Sequence, residues 1–132
     1  MAAFDVLNIE LDFTSVEIHE NYMISQIKEG IDFKQKHLDQ FYKLFETYYH
    51  DKPFISIADR KYDYTIDPNL FRDSSFRNLL GIGVVCYTES SFKTAQFEKT
   101  FFKGKFEPFY SMEDCIQWAE ELVKSHHTKN KS

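Results

Sequence analysis

Residues that cross-link, kink or loosen a chain are scarce here: 2 cysteines, 3 prolines and 4 glycines among 132 residues. Cys86 and Cys115 have neither CxxC spacing nor a histidine at zinc-finger distance, so a disulfide framework or a zinc site is not predicted. No stretch reaches the roughly 18 consecutive apolar residues needed for a membrane span. With no repeat, linker or low-complexity tract, the length indicates a single domain.

An excess of positive charge is also missing, since 16 Lys and Arg stand against 21 Asp and Glu, for a net charge of −5. Nucleic acid is therefore not an expected ligand, because phosphate contacts need clustered cations. Basic residues cluster only near the carboxyl end, and we expect a domain over residues 1–125 with a disordered polar tail at 126–132. The first residues lack a basic and then apolar leader, so a cytoplasmic location is expected.

Aromatic residues are abundant at 17%, with 14 Phe, 8 Tyr and 1 Trp. Most should form the core. The Phe cluster at 101–109 exceeds what one face of a helix or strand can bury, and a dimer interface or an apolar ligand cavity is the alternative use.

Hydrophobic periodicity predicts three short strands followed by a long helix. Alternation marks strands at Leu7–Phe13, Val16–His19 and Tyr22–Ile27, with a turn at Thr14 and Ser15. Apolar residues then recur every three or four positions from Phe33 to His50, which is typical of an amphipathic helix, with Asp32 as its N-cap.

Strands and helices alternate along the rest of the chain. The predicted elements are a strand at Phe54–Ala58, a helix from Asp67-Pro68 to about Asn78, a strand at Leu79–Tyr87, a helix from Ser90 or Ser91 to Lys103-Gly104, an extended piece at Phe106–Phe109 and a helix from Ser111. The order β-β-β-α-β-α-β-α-β-α predicts a single α/β domain whose mixed sheet is antiparallel at the start and parallel later.

Several segments, taken in order, resemble the small bacterial STAS-like proteins related to anti-sigma-factor antagonists, often called SpoIIAA-like. They are Phe54–Arg60, Tyr64–Pro68, Leu80–Val85, Glu98–Phe102, Phe106–Phe109 and Ser111–Trp118. The resemblance covers roughly residues 5–125. It implies a four- to six-stranded sheet with helices mainly on one face. It also implies action through binding, to a kinase partner, to a nucleotide in some cases, or to lipid in related carrier folds.

The resemblance departs at the regulatory serine, which in the antagonists directly follows a central strand in an Asp-Ser-Ser motif. Here Asp73-Ser74-Ser75 lies within a predicted helix, and Asp59-Arg60 occupies the position after the strand. We interpret residues 73–75 as a solvated helix face, because a phosphate gains most at a helix N-terminus or against arginines. A phosphorylation switch is the alternative.

The edge where the parallel strands end is the predicted binding site, since ligands of open α/β sheets collect there. Arg60 offers a planar set of five donors for a carboxylate or phosphate, and Tyr62 and Tyr64 could stack on a flat or acyl ligand. Asp59 and, on the next segment, Glu89 complete this edge. In the alternative, Arg60 pairs with Asp63 or Glu89 and the tyrosines cover the core.

Glu98, one helix further on, is the last candidate; it reaches either a loop backbone or Arg60. No nucleophile and base pair, dinucleotide loop or metal cluster emerges, so no enzyme, cofactor or metal is predicted. We expect a non-enzymatic binding or regulatory domain that contacts a protein partner or a second copy of itself, with Arg60→Ala leaving folding intact. The alternative is a small-molecule or lipid-binding protein with an aromatic-lined cavity.

Overall fold

Six strands form one twisted sheet at the centre of the computed structural model, which describes residues 5–72 and 76–130. The elements, in chain order, are β1 (Leu7–Glu10), β2 (Thr14–Ile18), β3 (Tyr22–Ile27), β4 (Asp32–Phe33), α1 (Gln35–Tyr49), β5 (Phe54–Arg60), β6 (Thr65–Ile66), a 3₁₀ helix (Pro68–Phe71), β7 (Leu79–Cys86), α2 (Glu89–Lys99), β8 (Lys105–Phe109) and α3 (Met112–Asn130).

The sheet order is β1-β2-β3-β5-β7-β8, so the six strands lie side by side in the order in which they occur along the chain. β1, β2 and β3 are antiparallel, whereas β3, β5, β7 and β8 run parallel. β4 and β6 form a separate two-stranded parallel pair. The predicted mixed α/β sheet, antiparallel first and parallel later, is confirmed.

Alternation along β5 divides the core into two layers. Ile55 and Ile57 pack with Cys115 and Ala119 of α3, and we call this side of the sheet the α3 face. Phe54, Ser56 and Ala58 point to the opposite side, the α1 face, which α1 and α2 cover. Two helices therefore lie on one side of the sheet and one on the other.

The underside of α1 is aromatic. Phe41, Phe45 and Tyr49 are its buried residues, and the Tyr49 ring stacks on Phe54 with 4.3 Å between centroids. The Tyr49 hydroxyl lies 2.7 and 2.8 Å from the carbonyl oxygens of His19 and Tyr22, so it ties the helix to the β2–β3 turn. Stacked and tilted rings thus dominate this layer.

The first half of the chain differs from the prediction in two places. Asp32 lies in β4, and Lys34 precedes α1 instead, where the Lys34 amide donates to His37 Nδ1 at 2.8 Å. β2 begins at Thr14, in the predicted turn; the chain reverses earlier, with the Leu11 amide bonded to the Thr14 carbonyl at 2.9 Å. Both differences arise because strand pairing with residues distant in sequence, Thr65 for Asp32 and Ile27 for Thr14, decides where β4 and β2 begin.

The predicted helix from Asp67 to Asn78 is wrong. Asp67 does cap, accepting from the Asn69 amide at 2.9 Å, but only the single 3₁₀ turn follows. Asp73-Ser74-Ser75 lies outside the described residues, and a turn at Phe76–Leu79 leads into β7.

Two helix ends also move relative to the prediction. Thr88 caps α2 by accepting from the Ser91 amide at 3.0 Å, ahead of the predicted serines, and the helix ends at Lys99. α3 continues through residues 126–130, which the sequence assigned to a disordered tail; the domain boundary at 125 stays a prediction.

Candidate functional site

The end of β5 carries the predicted site residues Asp59 and Arg60. The strand runs two residues further than predicted and pairs them with Val85 and Cys86 of β7. These neighbours are therefore not a loop after the strand. Because successive strand residues point to opposite faces, Asp59 lies on the α3 face and Arg60 on the α1 face.

Arg60 forms a buried charge cluster with two residues from other elements. Its Nη2 lies 2.6 Å from Glu98 Oε1 on α2, and its Nε donates to the Tyr64 hydroxyl at 2.9 Å. The side chains of Arg60 and Glu98 are only 9% and 3% exposed. The predicted contact between Glu98 and Arg60 is confirmed, and the alternative partners Asp63 and Glu89 are wrong.

Burial and charge act against each other in this cluster. Burial raises the pKa of Glu98, and the Arg60 guanidinium opposes that rise. Burial likewise raises the pKa of Tyr64, again opposed by Arg60. Glu98 Oε1 is buried and accepts no hydrogen bond of regular geometry from the described residues, so the ion pair is its close polar contact. Removal of Arg60 would leave a buried charge, so from the structure we expect Arg60→Ala to destabilise the fold, whereas the sequence alone predicts that folding stays intact.

Asp59 forms a different cluster on the α3 face. Its Oδ1 accepts from the Tyr87 hydroxyl at 2.7 Å, and its Oδ2 accepts from Gln26 Nε2 at 3.1 Å. The hydrogen bond to the Asp59 carboxylate is the main reason that the pKa of Tyr87 rises to about 12. Asp59 and Arg60 therefore serve separate sites.

Tyr62 and Glu89 take more exposed positions. The Tyr62 side chain is 39% exposed, and Lys61 Nζ lies 5.8 Å from its ring centroid. Glu89 pairs with Lys93 one helical turn later, at 3.1 Å on the surface of α2. Glu89 therefore makes no contact with Arg60.

An open polar cleft of about 530 Å³ lies where β5 ends and α2 begins. The predicted site residues Arg60, Tyr62, Tyr64 and Glu98 all line it. Hydroxyls from the start of α2 and from β6 complete it: Thr65, Thr88, Ser90, Ser91 and Thr94. Tyr62, which follows β5, and Thr88, which follows β7, thus border the same cleft at this edge of the sheet.

Behind the cleft, an apolar cavity of about 70 Å³ lies between the sheet and α1. Aromatic and aliphatic side chains make most of its wall: Phe33, Leu38, Phe41, Tyr42, Phe45, Phe71, Ile82 and Val84. Ser25 and Ser56 contribute the small polar groups on the sheet side. Arg60, Tyr64 and Ile66 line both this cavity and the cleft, so the charge cluster stands between the two.

The sequence offered an aromatic-lined cavity as an alternative, but it did not place that cavity beneath α1, whose aromatic residues it assigned to the core. A signal does exist in the strands, because Ser25, Ser56 and Ala58 are small side chains set opposite large rings. Small residues facing rigid rings leave space that the rings alone do not fill. Only the position of α1 over the sheet shows where that space lies.

Residues 5–72 and 76–130 contain neither a candidate metal site nor a helix that could span a membrane. In that part of the chain, His, Cys, Asp and Glu side chains form no group of three or more suited to a metal ion. Across the same ranges, each helix is too short or too polar to cross a lipid bilayer.

Comparison with known proteins supports the fold alone. No family model matches the sequence, and no curated protein matches it. The structure is similar to the crystal structure of an uncharacterised DUF3478-family protein with a SpoIIAA-like fold from Shewanella loihica PV-4. The TM-score is 0.53 at 12% identity, over 90% of this chain and 98% of that one. The chain therefore has a SpoIIAA-like fold, as the sequence resemblance predicts.

Proposed function

We propose that this protein is a non-enzymatic binding domain that holds a small, mainly apolar molecule in the cavity beneath α1. The observation that carries the proposal is the cavity itself, whose described wall is apolar apart from Arg60, two tyrosines and two serines. A concave apolar site with a few convergent polar groups is the usual form of a small-molecule site.

The size of the cavity favours a small molecule over a lipid chain. Its volume of about 70 Å³ exceeds the roughly 10–15 Å³ that one water needs, and is about half that of an engineered cavity that binds benzene. In proportion, an apolar group of about three non-hydrogen atoms would fill it, and any further polar part of the ligand would extend into the polar cleft.

The state of the ionisable groups supports binding rather than catalysis. Arg60 and Glu98 neutralise each other, and Asp59 accepts hydrogen bonds from Tyr87 and Gln26. The ion pair with Arg60 makes Glu98, the carboxylate of this cluster, a weaker base, which favours binding over proton transfer there. The cytoplasmic location remains part of the proposal and is supported by Cys86 and Cys115, which are both free and buried.

Binding is tested with 1-butanol as the probe, by following backbone amide shifts in a two-dimensional NMR titration. We expect saturable shifts at residues around the cavity, in the millimolar range that so small a ligand allows. Ala58→Leu fills the cavity wall and should abolish the shifts, whereas Thr47→Leu adds a leucine on the exposed side of α1 and should leave them unchanged. Linear, non-saturating shifts in the wild-type protein would refute the proposal.

Native mass spectrometry of freshly purified protein provides an independent check. A bound mass that disappears in Ala58→Leu but persists in Thr47→Leu would identify the natural occupant. An apo mass for all three proteins under mild conditions would count against a tightly held ligand.

A protein partner is the second candidate function, favoured by exposed aromatics at the same edge of the sheet. Tyr62, Tyr87 and Tyr110 follow β5, β7 and β8 and are 39%, 54% and 58% exposed. Tyrosine is enriched in the buried parts of protein interfaces. If this edge joins two copies of the chain, sedimentation velocity should show a dimer that Tyr87→Ser and Tyr110→Ser dissociate; a monomer at all concentrations would rule out self-association.

A further inference from the structure

We infer that Glu98 sets the charge preference of the cavity: by neutralising Arg60 it makes the site accept neutral ligands with one hydrogen-bonding oxygen and reject carboxylates. This inference rests on the proposed function, because it concerns the ligand of the same cavity. It assigns Glu98 a role in specificity without direct contact with the apolar part of the ligand.

Among the described residues that line the apolar cavity, Arg60 is the one that carries a charge. An arginine at the end of an apolar pocket would by itself select an anion, since its planar donors match a carboxylate. Here the guanidinium is already paired, with Glu98 Oε1 at 2.6 Å from Nη2. The pair is nearly fully buried, so solvent screens it little. An incoming carboxylate would therefore meet both the cation and a fixed anion beside it.

The guanidinium still has donors to offer. It carries five N–H groups, of which the one on Nε bonds to the Tyr64 hydroxyl and the contact with Glu98 involves Nη2. The remaining N–H groups can donate to an alcohol, phenol or carbonyl oxygen, which brings no net charge. Burying a neutral hydrogen-bonded group costs far less than burying an unpaired carboxylate. Geometry and charge thus point to a neutral oxygen.

The polar cleft agrees with a neutral head group. Its wall outside the charge cluster is rich in hydroxyls, with Thr65, Ser90, Ser91 and Thr94 among them. The same wall includes a second carboxylate, Asp63. Hydroxyls both donate and accept, so they suit an alcohol or carbonyl that extends from the cavity, and the carboxylates disfavour an anion.

The test compares 1-butanol with butanoate, which share a chain length and differ in charge, by NMR titration at pH 7. The wild-type protein should bind butanol at least about tenfold more tightly than butanoate, a difference that corresponds to roughly 1.4 kcal/mol. Glu98→Gln keeps the shape of the side chain and removes its charge. It should reverse the preference, because Arg60 is then an uncompensated cation.

Glu107→Gln is the matched control, since Glu107 pairs with Lys99 at 2.8 Å on the surface and lines neither the cavity nor the cleft. It should leave both affinities unchanged. If Glu98→Gln does not fold, Glu98→Asp serves instead. Its shorter side chain keeps the negative charge but places it further from Arg60, so the ratio of butanol affinity to butanoate affinity should be smaller than in the wild-type protein.

The outcomes separate the two proposals. If neither probe binds the wild-type protein, the proposed function fails and this inference fails with it. If the wild-type protein binds butanoate as well as butanol or better, the cavity binds ligands but Glu98 does not select them. An unchanged preference in a folded Glu98→Gln or Glu98→Asp variant would also overturn the inference.

Discussion

Helix α3 packs against its side of the sheet far more closely than α1 packs against the other. On the α3 face, a Cβ placed at Gly83 would lie 2.5 Å from Cys115 Sγ and 3.2 Å from the Trp118 ring. This close packing buries Cys115, and burial raises the pKa of its thiol to about 12. On the α1 face, rings as large as Phe41 and Phe45 border a cavity.

The difference follows from the sizes of the residues that meet. Glycine, cysteine and alanine let a helix approach the sheet until backbone and side chains touch. Large rigid rings fill volume but hold the helix away from small strand residues such as Ser56 and Ala58. The α3 face of the sheet is therefore closely packed, whereas the α1 face leaves a cavity that can hold a ligand.

The largest expected effect is on the α1 face. Arg60→Ala leaves Glu98 buried without its cation and should lower the free energy of unfolding by about 3–5 kcal/mol. Asp59→Ala, one residue earlier and on the α3 face, loses partly exposed hydrogen bonds and should cost about 1–2 kcal/mol. Urea denaturation of both variants measures the contrast.

A double variant sharpens this result. Arg60→Met with Glu98→Leu replaces the ion pair by apolar groups and should be more stable than Arg60→Ala, because no unpaired charge remains. If Arg60→Ala and Asp59→Ala lower the free energy of unfolding by the same amount, the Arg60 cluster is solvated and contributes no more to stability than the Asp59 cluster.

Gly83→Ala should cost about 1–3 kcal/mol, since one methyl group has no space on the α3 face. Thermal or urea unfolding measures the loss. In a Cys115→Ala background the same substitution should cost less, because the closest atom is gone. A neutral Gly83→Ala would show that α3 can move away from the sheet.

Tyr87→Phe removes the hydroxyl that donates to Asp59 Oδ1 on the α3 face. The change should lower the free energy of unfolding by about 1 kcal/mol. The pKa of Tyr87 in the folded protein is about 12, above the ordinary value of 10, so the folded state holds this proton longer than the unfolded state. This contribution to stability is therefore present below pH 10 and is lost as the pH rises to 12.

Absorbance at 295 nm follows the titration of the tyrosines. The wild-type protein should show a component near pH 12 that Tyr87→Phe reduces. If the absorbance that Tyr87→Phe removes instead titrates near the ordinary value of 10, Asp59 does not accept from Tyr87.

The smallest effect on stability is expected for Ala58→Val, which adds two carbons toward the cavity. The change should stay within about 1 kcal/mol, because free volume accepts the added carbons and valine suits a strand. Calorimetry measures it beside Gly83→Ala, whose single added carbon should cost more. A larger loss for Ala58→Val would mean that both faces are equally tight.

Much of the fold could be predicted because it depends on local periodicity. β3, β7 and α1 follow from alternation or from three- and four-residue spacing. β4 and β6 could not be found in this way, since each has two residues and exists only by pairing with the other. The end of the 3₁₀ helix at Phe71 likewise could not be found, since the cap at Asp67 marks only where the helix begins.

The candidate site could be predicted only in part, because one strand end was not encoded in the local pattern. Arg60, Tyr64 and Glu98 do meet, but the sequence grouped Asp59 with them because β5 was ended two residues early. Once both residues belong to the strand, alternation separates them. The cavity depends on where α1 rests on the sheet, and no local pattern encodes that position.

The spatial order of the strands has a consequence for synthesis. Because the sheet grows in one direction along the chain, from β1 through β3 and β5 to β8, every strand leaves the ribosome after the neighbour it will join. Each strand of this sheet can therefore pair with an edge formed by residues that were synthesised before it. The edge of β7 stays open until β8 emerges, and Pro108 in β8, which has no amide hydrogen, then weakens the last edge as a template for further strands.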